Sequence, residues 1–313
     1  MRKIAALSAV AAAVAAAATI VLAASGAWPG DAPYSVAGGA MDRALACRGG
    51  MTALSGDGRA EPVLLVHGTG VTREQNWKWN YWGALHRAGF VVCWVQLPDA
   101  ALNDAQISAE YVARAVQVMN RRTGELIDIV GHSQGGLVPR WSIKYFPSGI
   151  YVDDFVALAS PNHGTITADN STRDRRCFES CWQMRTVAKF IAALNNGDET
   201  PGPISYTSIY TLNDELVKPV ETSKLEGGTN ILLQDVCPVR PTEHLLIAAD
   251  AVAWELTIDA LTNPGGADPS RISPTACLSL FLPGANLDFP REGPDYSGAR
   301  SVDREPPLKP YAR

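Results

Sequence analysis

Short apolar runs alternate with amphipathic stretches along most of this chain, and no other feature narrows its possible folds as far. PVLLVHG at 62–68, FVVCWVQL at 90–97, LIDIVGH at 126–132, DFVALAS at 154–160, YTSIYT at 206–211 and NILLQDV at 230–236 have the length and composition of strands. Most are continuously apolar, as expected of parallel strands buried on both faces. Between them, Ala105, Ala109, Val112, Val116 and Met119 share one helical stripe. In 182–197, Val187, Phe190, Ile191 and Leu194 share another, with Gly197 placed to end that helix. This alternation predicts an α/β fold with a mostly parallel central sheet flanked by helices. In such sheets ligands bind beyond the carboxyl ends of the strands.

The first 27 residues interrupt the pattern. Arg2 and Lys3 precede an Ala/Val-rich stretch over 4–24, and Ser25 and Ala27 supply small residues at the −3 and −1 positions of a cleavage site. Residues 1–27 are therefore expected to be a cleaved secretory signal, and the protein to be secreted. An uncleaved anchor is the alternative, disfavoured because alanine is weakly hydrophobic. Cleavage would remove two of 27 basic residues and none of the 32 acidic ones, taking the net charge from −5 to −7. Such a balance carries no footprint for nucleic acid and no polybasic run for an anionic membrane. All six cysteines, at 47, 93, 177, 181, 237 and 277, follow the signal, and an even count in an exported chain favours disulfides. Their spacing leaves all 15 pairings open. No CxxC or HExxH occurs and the five histidines are scattered, so neither metal nor cofactor is expected.

One stretch carries chemistry. Gly131-His132-Ser133-Gln134-Gly135 matches G-x-S-x-G, with a strand-like run entering and a helix-like run leaving. A match arises by chance in roughly one chain in ten of this length, so the strand and helix around it matter more than the motif. At such an elbow the serine is held on a strained backbone, and flanking glycines remove side chains that would clash. The N–H of the next residue, Gln134, is then placed for an oxyanion.

A serine hydroxyl needs a base, and the base an orienting acid, in the chain order Ser, Asp or Glu, His. Only His163 and His244 follow Ser133. His163 comes after the very next strand and leaves no strand for an acid, so His244 is expected to be the base. His163 is expected to be a hydrogen-bonded histidine near the site mouth. Asp214 comes first on the loop after 206–211 and is the expected acid. Glu215 is expected to be solvated or a helix first-turn charge, and Asp198, Asp235 and Asp250 to be surface or capping residues. In LLVHGTGVT, Gly68 and Gly70 let the backbone approach, and Thr69 can offer its N–H and its hydroxyl to the oxyanion. GTG alone could be a phosphate loop, but it lacks the GK[ST] ending.

With these residues in place, the chain resembles the secreted lipase family typified by Candida antarctica lipase B, within the α/β-hydrolases. LLVHGTG, LNDAQISAEY, SQGGLVPRW, LNDELVKP, DVC and the terminal PYAR carry the resemblance, in order, from about Cys47 to Arg313. It implies an α/β-hydrolase fold over 28–313 as one catalytic domain. The stretch 165–185, polar, charged and holding two cysteines, reads by its own composition as an insertion over one end of the sheet, and 165–200 as a disulfide-containing cap or lid. The resemblance implies Ser133, Asp214 and His244 as the catalytic triad and Thr69 and Gln134 as the oxyanion hole. It also implies Cys47–Cys93 and Cys237–Cys277 bridges, which leaves Cys177–Cys181 as a local one. The sequence departs from the family at three places. His132 stands where the yeast lipase has a tryptophan shaping the alcohol-side pocket, and Asn162 where it has an acyl-pocket aspartate. The insertion at 165–185 does not align.

The expected activity is hydrolysis of carboxylic esters, acylglycerols first, by a monomer that can contact a lipid interface. An esterase for other esters, a polyesterase or an acyltransferase are alternatives within enzymes. A catalytically silent binding protein on the same fold would require a missing triad member, and none is missing.

Overall fold

Each predicted run forms a strand of one sheet. The computed structural model of the protein describes residues 28–55, 61–174, 176–286, 293–297 and 299–313. The expected signal, 1–27, lies outside the described residues. Seven strands make the sheet: β1 (Leu45–Cys47), β2 (Pro62–Val66), β3 (Val91–Val95), β4 (Ile127–His132), β5 (Val152–Leu158), β7 (Ser205–Tyr210) and β8 (Thr229–Leu232). Their spatial order is β1-β3-β2-β4-β5-β7-β8. Every neighbouring pair is parallel except β1 with β3. A separate two-stranded antiparallel pair joins β6 (Cys177–Phe178) to β9 (Ser301–Val302).

The continuous apolar pattern is explained by burial on both faces. All five residues of β2 are buried, with Leu64 and Val66 in one core and Val63 and Leu65 in the other. The first core is closed by the helices Ala105–Thr123 and Gln134–Tyr145, the second by Tyr81–Arg87 and Ala251–Thr262. Helix Ala105–Thr123 starts where the Asp104 side chain accepts from the Gln106 N–H and stops at Gly124 in the left-handed conformation (φ 78°). Its predicted stripe, Ala105 to Met119, is buried throughout.

The sequence expectation fails in three places. The stripe at 182–197 is not one helix. It breaks into Glu179–Gln183 and Lys189–Asn195, and Val187 between them is 70% exposed. The break is fixed by Asp169, whose carboxylate accepts both the N–H and the hydroxyl of Thr186, at 3.2 and 2.6 Å. Gly197 does take a left-handed φ of 75°, one residue past the C-cap Asn196. The run at 230–236 leaves the sheet at Leu232 and continues as the helical turn Leu233–Val236. Strand β1 was not legible: it is three residues long and antiparallel, held to β3 with Cys47 directly opposite Cys93.

Described residues of the C-terminal tail pack back on the body of the molecule. Glu305 accepts the Lys189 and Phe190 N–H groups at the start of helix Lys189–Asn195, and Tyr311 packs against Phe146 and Tyr145.

At the amino end of the sheet, Asp128 of β4 is buried beside Asp154 of β5, whose N–H it accepts at 3.3 Å. Burial first, then the negative charges of Asp154 and Glu61, push the Asp128 carboxyl up to about 9, and burial pushes Asp154 up to about 7. The folded state thus keeps protons that the unfolded chain releases near pH 4. This contribution is full below that pH and is lost as pH rises towards about 9. Asp128→Asn should therefore raise the Tm at pH 9 relative to the parent, with the difference vanishing at pH 4 to 5. Thermal melts at both pH values check this.

Candidate active site

The elbow forms because β4 runs straight into Ser133 and the helix Gln134–Tyr145 begins at the next residue. Ser133 sits at φ 57°, ψ −128°, a region L-residues seldom occupy and a strain of about 1–3 kcal/mol. Glycine is required on both sides. A Cβ on Gly131 would lie 2.0 Å from the Gly135 carbonyl oxygen, and one on Gly135 would lie 2.2 Å from the Val66 carbonyl oxygen. Pro139 falls in the second turn of this helix and leaves the Gly135 carbonyl without its helical N–H partner.

Two chain-distant residues line up behind the serine. His244 Nε2 is 3.0 Å from Ser133 Oγ, and His244 Nδ1 is 2.9 and 3.0 Å from the two Asp214 carboxylate oxygens. Asp214 is 2% exposed, and its Oδ1 also accepts the Leu216 and Val217 N–H groups at 2.9 and 2.7 Å. The carboxylate is thus held by its own loop before it meets the imidazole. The loop carrying His244 is pinned at both ends. Arg240 is buried and pairs with Asp250 at 2.5 Å, while Asp250 caps helix Ala251–Thr262 by accepting the Val252 and Ala253 N–H groups. Asp250 is therefore a buried anchor, more than the simple cap expected of it.

Glu215 is exposed, as expected of a solvated charge, and lies in no helix; its Oε2 also accepts the His244 N–H at 3.2 Å. His163 is hydrogen-bonded, as expected of it. Its Nε2 is 2.9 Å from Glu199 Oε1, which raises its pKa, and it does not line the cavity above Ser133. Asn162 does not line that cavity either. It is fully buried, and its Nδ2 donates to the Ser223 carbonyl at 2.6 Å.

Thr69 and Gln134 meet beside the serine. The Thr69 hydroxyl donates to Gln134 Oε1 at 2.5 Å, so in this arrangement its proton faces Gln134. Gln134 opens its helix, where first-turn N–H groups lack helical acceptors and the dipole favours negative charge. Below this loop His67 is fully buried, and burial pushes its pKa down to about 4; its Nε2 accepts the Leu97 N–H at 2.9 Å. Asn76 Oδ1 accepts the Gly68 N–H at 3.0 Å. His67 lies inside LLVHGTG without a role assigned to it from sequence, and Asn76 lies in no motif.

Ser133 and His244 open into a cavity of about 480 Å³. Leu216, Val217, Leu245 and Leu246 line one part of it. Met184, Phe178 and the Cys177–Cys181 bridge come from the insertion, and Pro294 and Tyr296 from the tail. Phe178 and Tyr296 stack at 5.7 Å, and Asp295 N–H donates to the Gly70 carbonyl at 2.8 Å. All six cysteines are paired as expected, Cys47–Cys93, Cys177–Cys181 and Cys237–Cys277.

Residues 60–237 match the family model described as lipase (class 2). The chain belongs to the class 2 lipase family. Membership makes it a carboxylic ester hydrolase. It is 28% identical over 302 residues to lipase B of Pseudozyma antarctica, covering 90% of this chain and 87% of that protein. The crystal structure of Aspergillus fumigatus lipase B superposes with a TM-score of 0.81 at 29% identity, over 91% of this chain and 74% of the other. A Bacillus licheniformis lipase in propeptide form, at 15% identity and a TM-score of 0.54, shares the fold over 68% of this chain and 52% of its own. The lipase thus has the α/β-hydrolase architecture expected from its sequence. Among its described residues no helix is long and apolar enough to cross a membrane.

Proposed function

We propose that this lipase is secreted and cleaves acylglycerols through Ser133, His244 and Asp214, by way of an acyl-enzyme. The observation that carries the reading is the single imidazole of His244 within 3.0 Å of both Ser133 Oγ and the Asp214 carboxylate. Ser133 Oγ attacks the ester carbonyl carbon while His244 Nε2 takes its proton. The same proton passes to the departing alcohol, which leaves the acyl group on Oγ. Water, deprotonated by His244, then attacks the acyl carbon, and Ser133 recovers its proton as the fatty acid departs. Asp214 keeps Nδ1 protonated and Nε2 free to accept. The main-chain N–H groups of Thr69 and Gln134 receive the oxyanion.

Several features support a lipid substrate. The cavity is lined mainly by apolar side chains, and Leu216, Leu245 and Tyr296 among them are between 42% and 50% exposed. Such a rim fits a lipid–water interface better than it fits water alone. The signal-like residues 1–27 and the three disulfides support secretion. In this reading 28–313 is one catalytic domain acting as a monomer, and 165–200 is a cap fixed by Cys177–Cys181.

Fluorophosphonate labelling, peptide mapping and hydrolysis of p-nitrophenyl esters of rising chain length, with and without an emulsion, test the proposal. The label is expected on Ser133 alone, with turnover of long-chain esters sustained in emulsion. Turnover confined to short soluble esters would make the protein an esterase. A label elsewhere would overturn the nucleophile.

A further inference from the structure

His132 lies between the two halves of the machinery and belongs to neither. Its ring is 4% exposed, stands 5.2 Å from the His244 ring and meets Trp77 edge-on at 6.3 Å. Its Nε2 is 2.9 Å from the main-chain carbonyl oxygen of His244. Its Nδ1 is 3.2 Å from Asn76 Oδ1, the atom that accepts the Gly68 N–H of the oxyanion loop. One ring therefore spans the loop of the base and the loop of the oxyanion hole.

Burial, with His244 alongside, pushes the His132 pKa down to about 3. The ring is neutral in any ordinary assay and carries one proton for two oxygen neighbours. The contact to His244 is the shorter, and Asn76 Oδ1 already has a donor, so the proton is assigned to Nε2.

We propose that His132 is a positioning residue: by donating its Nε2–H to the His244 carbonyl it sets the reach of His244 Nε2 to Ser133 Oγ. This rests on His244 being the base. Asp214 orients the His244 ring and Glu215 holds its N–H. His132 adds the third tether, on the carbonyl side, where the next residue, Leu245, is 48% exposed and gives the loop little packing. A base displaced by about 1 Å loses on the order of 10² in rate.

Three variants of the full chain separate this from simple space-filling. His132→Phe keeps a ring of similar size and removes the Nε2–H that reaches the His244 carbonyl. His132→Gln places an amide N–H near the Nε2 position, and His132→Asn places one near Nδ1. His132→Phe is expected to lower kcat by about 30- to 100-fold with KM changed less than about 3-fold. His132→Gln should recover most of the loss and His132→Asn should not. His244→Ala, measured in parallel, should be inactive.

An unchanged kcat in His132→Phe beside an inactive His244→Ala overturns the positioning role and leaves the base in place. A rise in KM at constant kcat makes His132 a wall of the substrate pocket instead. Rescue by Asn but not Gln moves the working bond to Asn76. Equal losses in all three, with lowered Tm, reduce the residue to packing. An active His244→Ala removes the base and this inference together. If His132→Phe does not fold, the contrast between Gln and Asn still decides.

Discussion

Ser133→Ala is expected to lower kcat by about 10⁵-fold or more while the protein still folds. The alanine retains the Cβ that the elbow accommodates, so the strained φ of 57° and the packing around it persist. What disappears is the hydroxyl oxygen that meets His244 Nε2 at 3.0 Å. No neighbour can replace it. The Thr69 hydroxyl is bonded to Gln134 Oε1. Residual hydrolysis should come from water held near the oxyanion donors, roughly 10³-fold above the uncatalysed reaction. Circular dichroism establishes the fold, and turnover of a p-nitrophenyl ester gives kcat. Folded mutant protein with more than a few per cent of the parental rate would remove Ser133 as nucleophile. Ser133→Gly sharpens the test. It should be as inactive as alanine yet melt at a higher temperature, because glycine adopts φ 57° without strain.

The sheet and the site were legible to different depths. Strands buried on both faces write continuous apolar runs, so β2 to β5, β7 and β8 could be found from sequence. Strand β1 writes almost nothing. It has three residues and owes its place to pairing and to Cys93 across from it. The break before Lys189 was invisible for a similar reason. It depends on Asp169 reaching Thr186 across the insertion, a contact with no periodicity. At the site, Ser133, Asp214 and His244 could be named because each must follow a strand, and strand order restricts the choice. Glu215, Asn76 and His132 act through hydrogen bonds to main-chain groups of other loops. Such bonds place no constraint on nearby sequence, so nothing in the motif announces them. Asn162 shows the converse. Its place in the sequence suggested a pocket residue, but its side chain turns inward to Ser223.

Asp214→Asn is expected to lower kcat by up to about 10⁴-fold with Tm little changed. The reason lies in which atom carries a proton. In the parent, both carboxylate oxygens face His244 Nδ1 and can only accept, so Nδ1 is protonated and Nε2 is free to take the serine proton. Asparagine has one acceptor oxygen, and the Leu216 and Val217 N–H groups already point at the Oδ1 position. Its amide N–H is left facing Nδ1, which must then be unprotonated. The proton moves to Nε2, where it donates to Ser133 Oγ and blocks the base. The loop geometry survives because Oδ1 keeps its two donors, which is why the melting temperature should hold. Glu215→Gln supplies the control. Its amide oxygen still accepts the His244 N–H, so the loss should stay below about 10-fold, despite the same charge being removed one residue away. A long-range electrostatic role for this loop would make the two substitutions equal. A damaging Glu215→Gln beside a mild Asp214→Asn would shift the acid by one residue and undo the assignment.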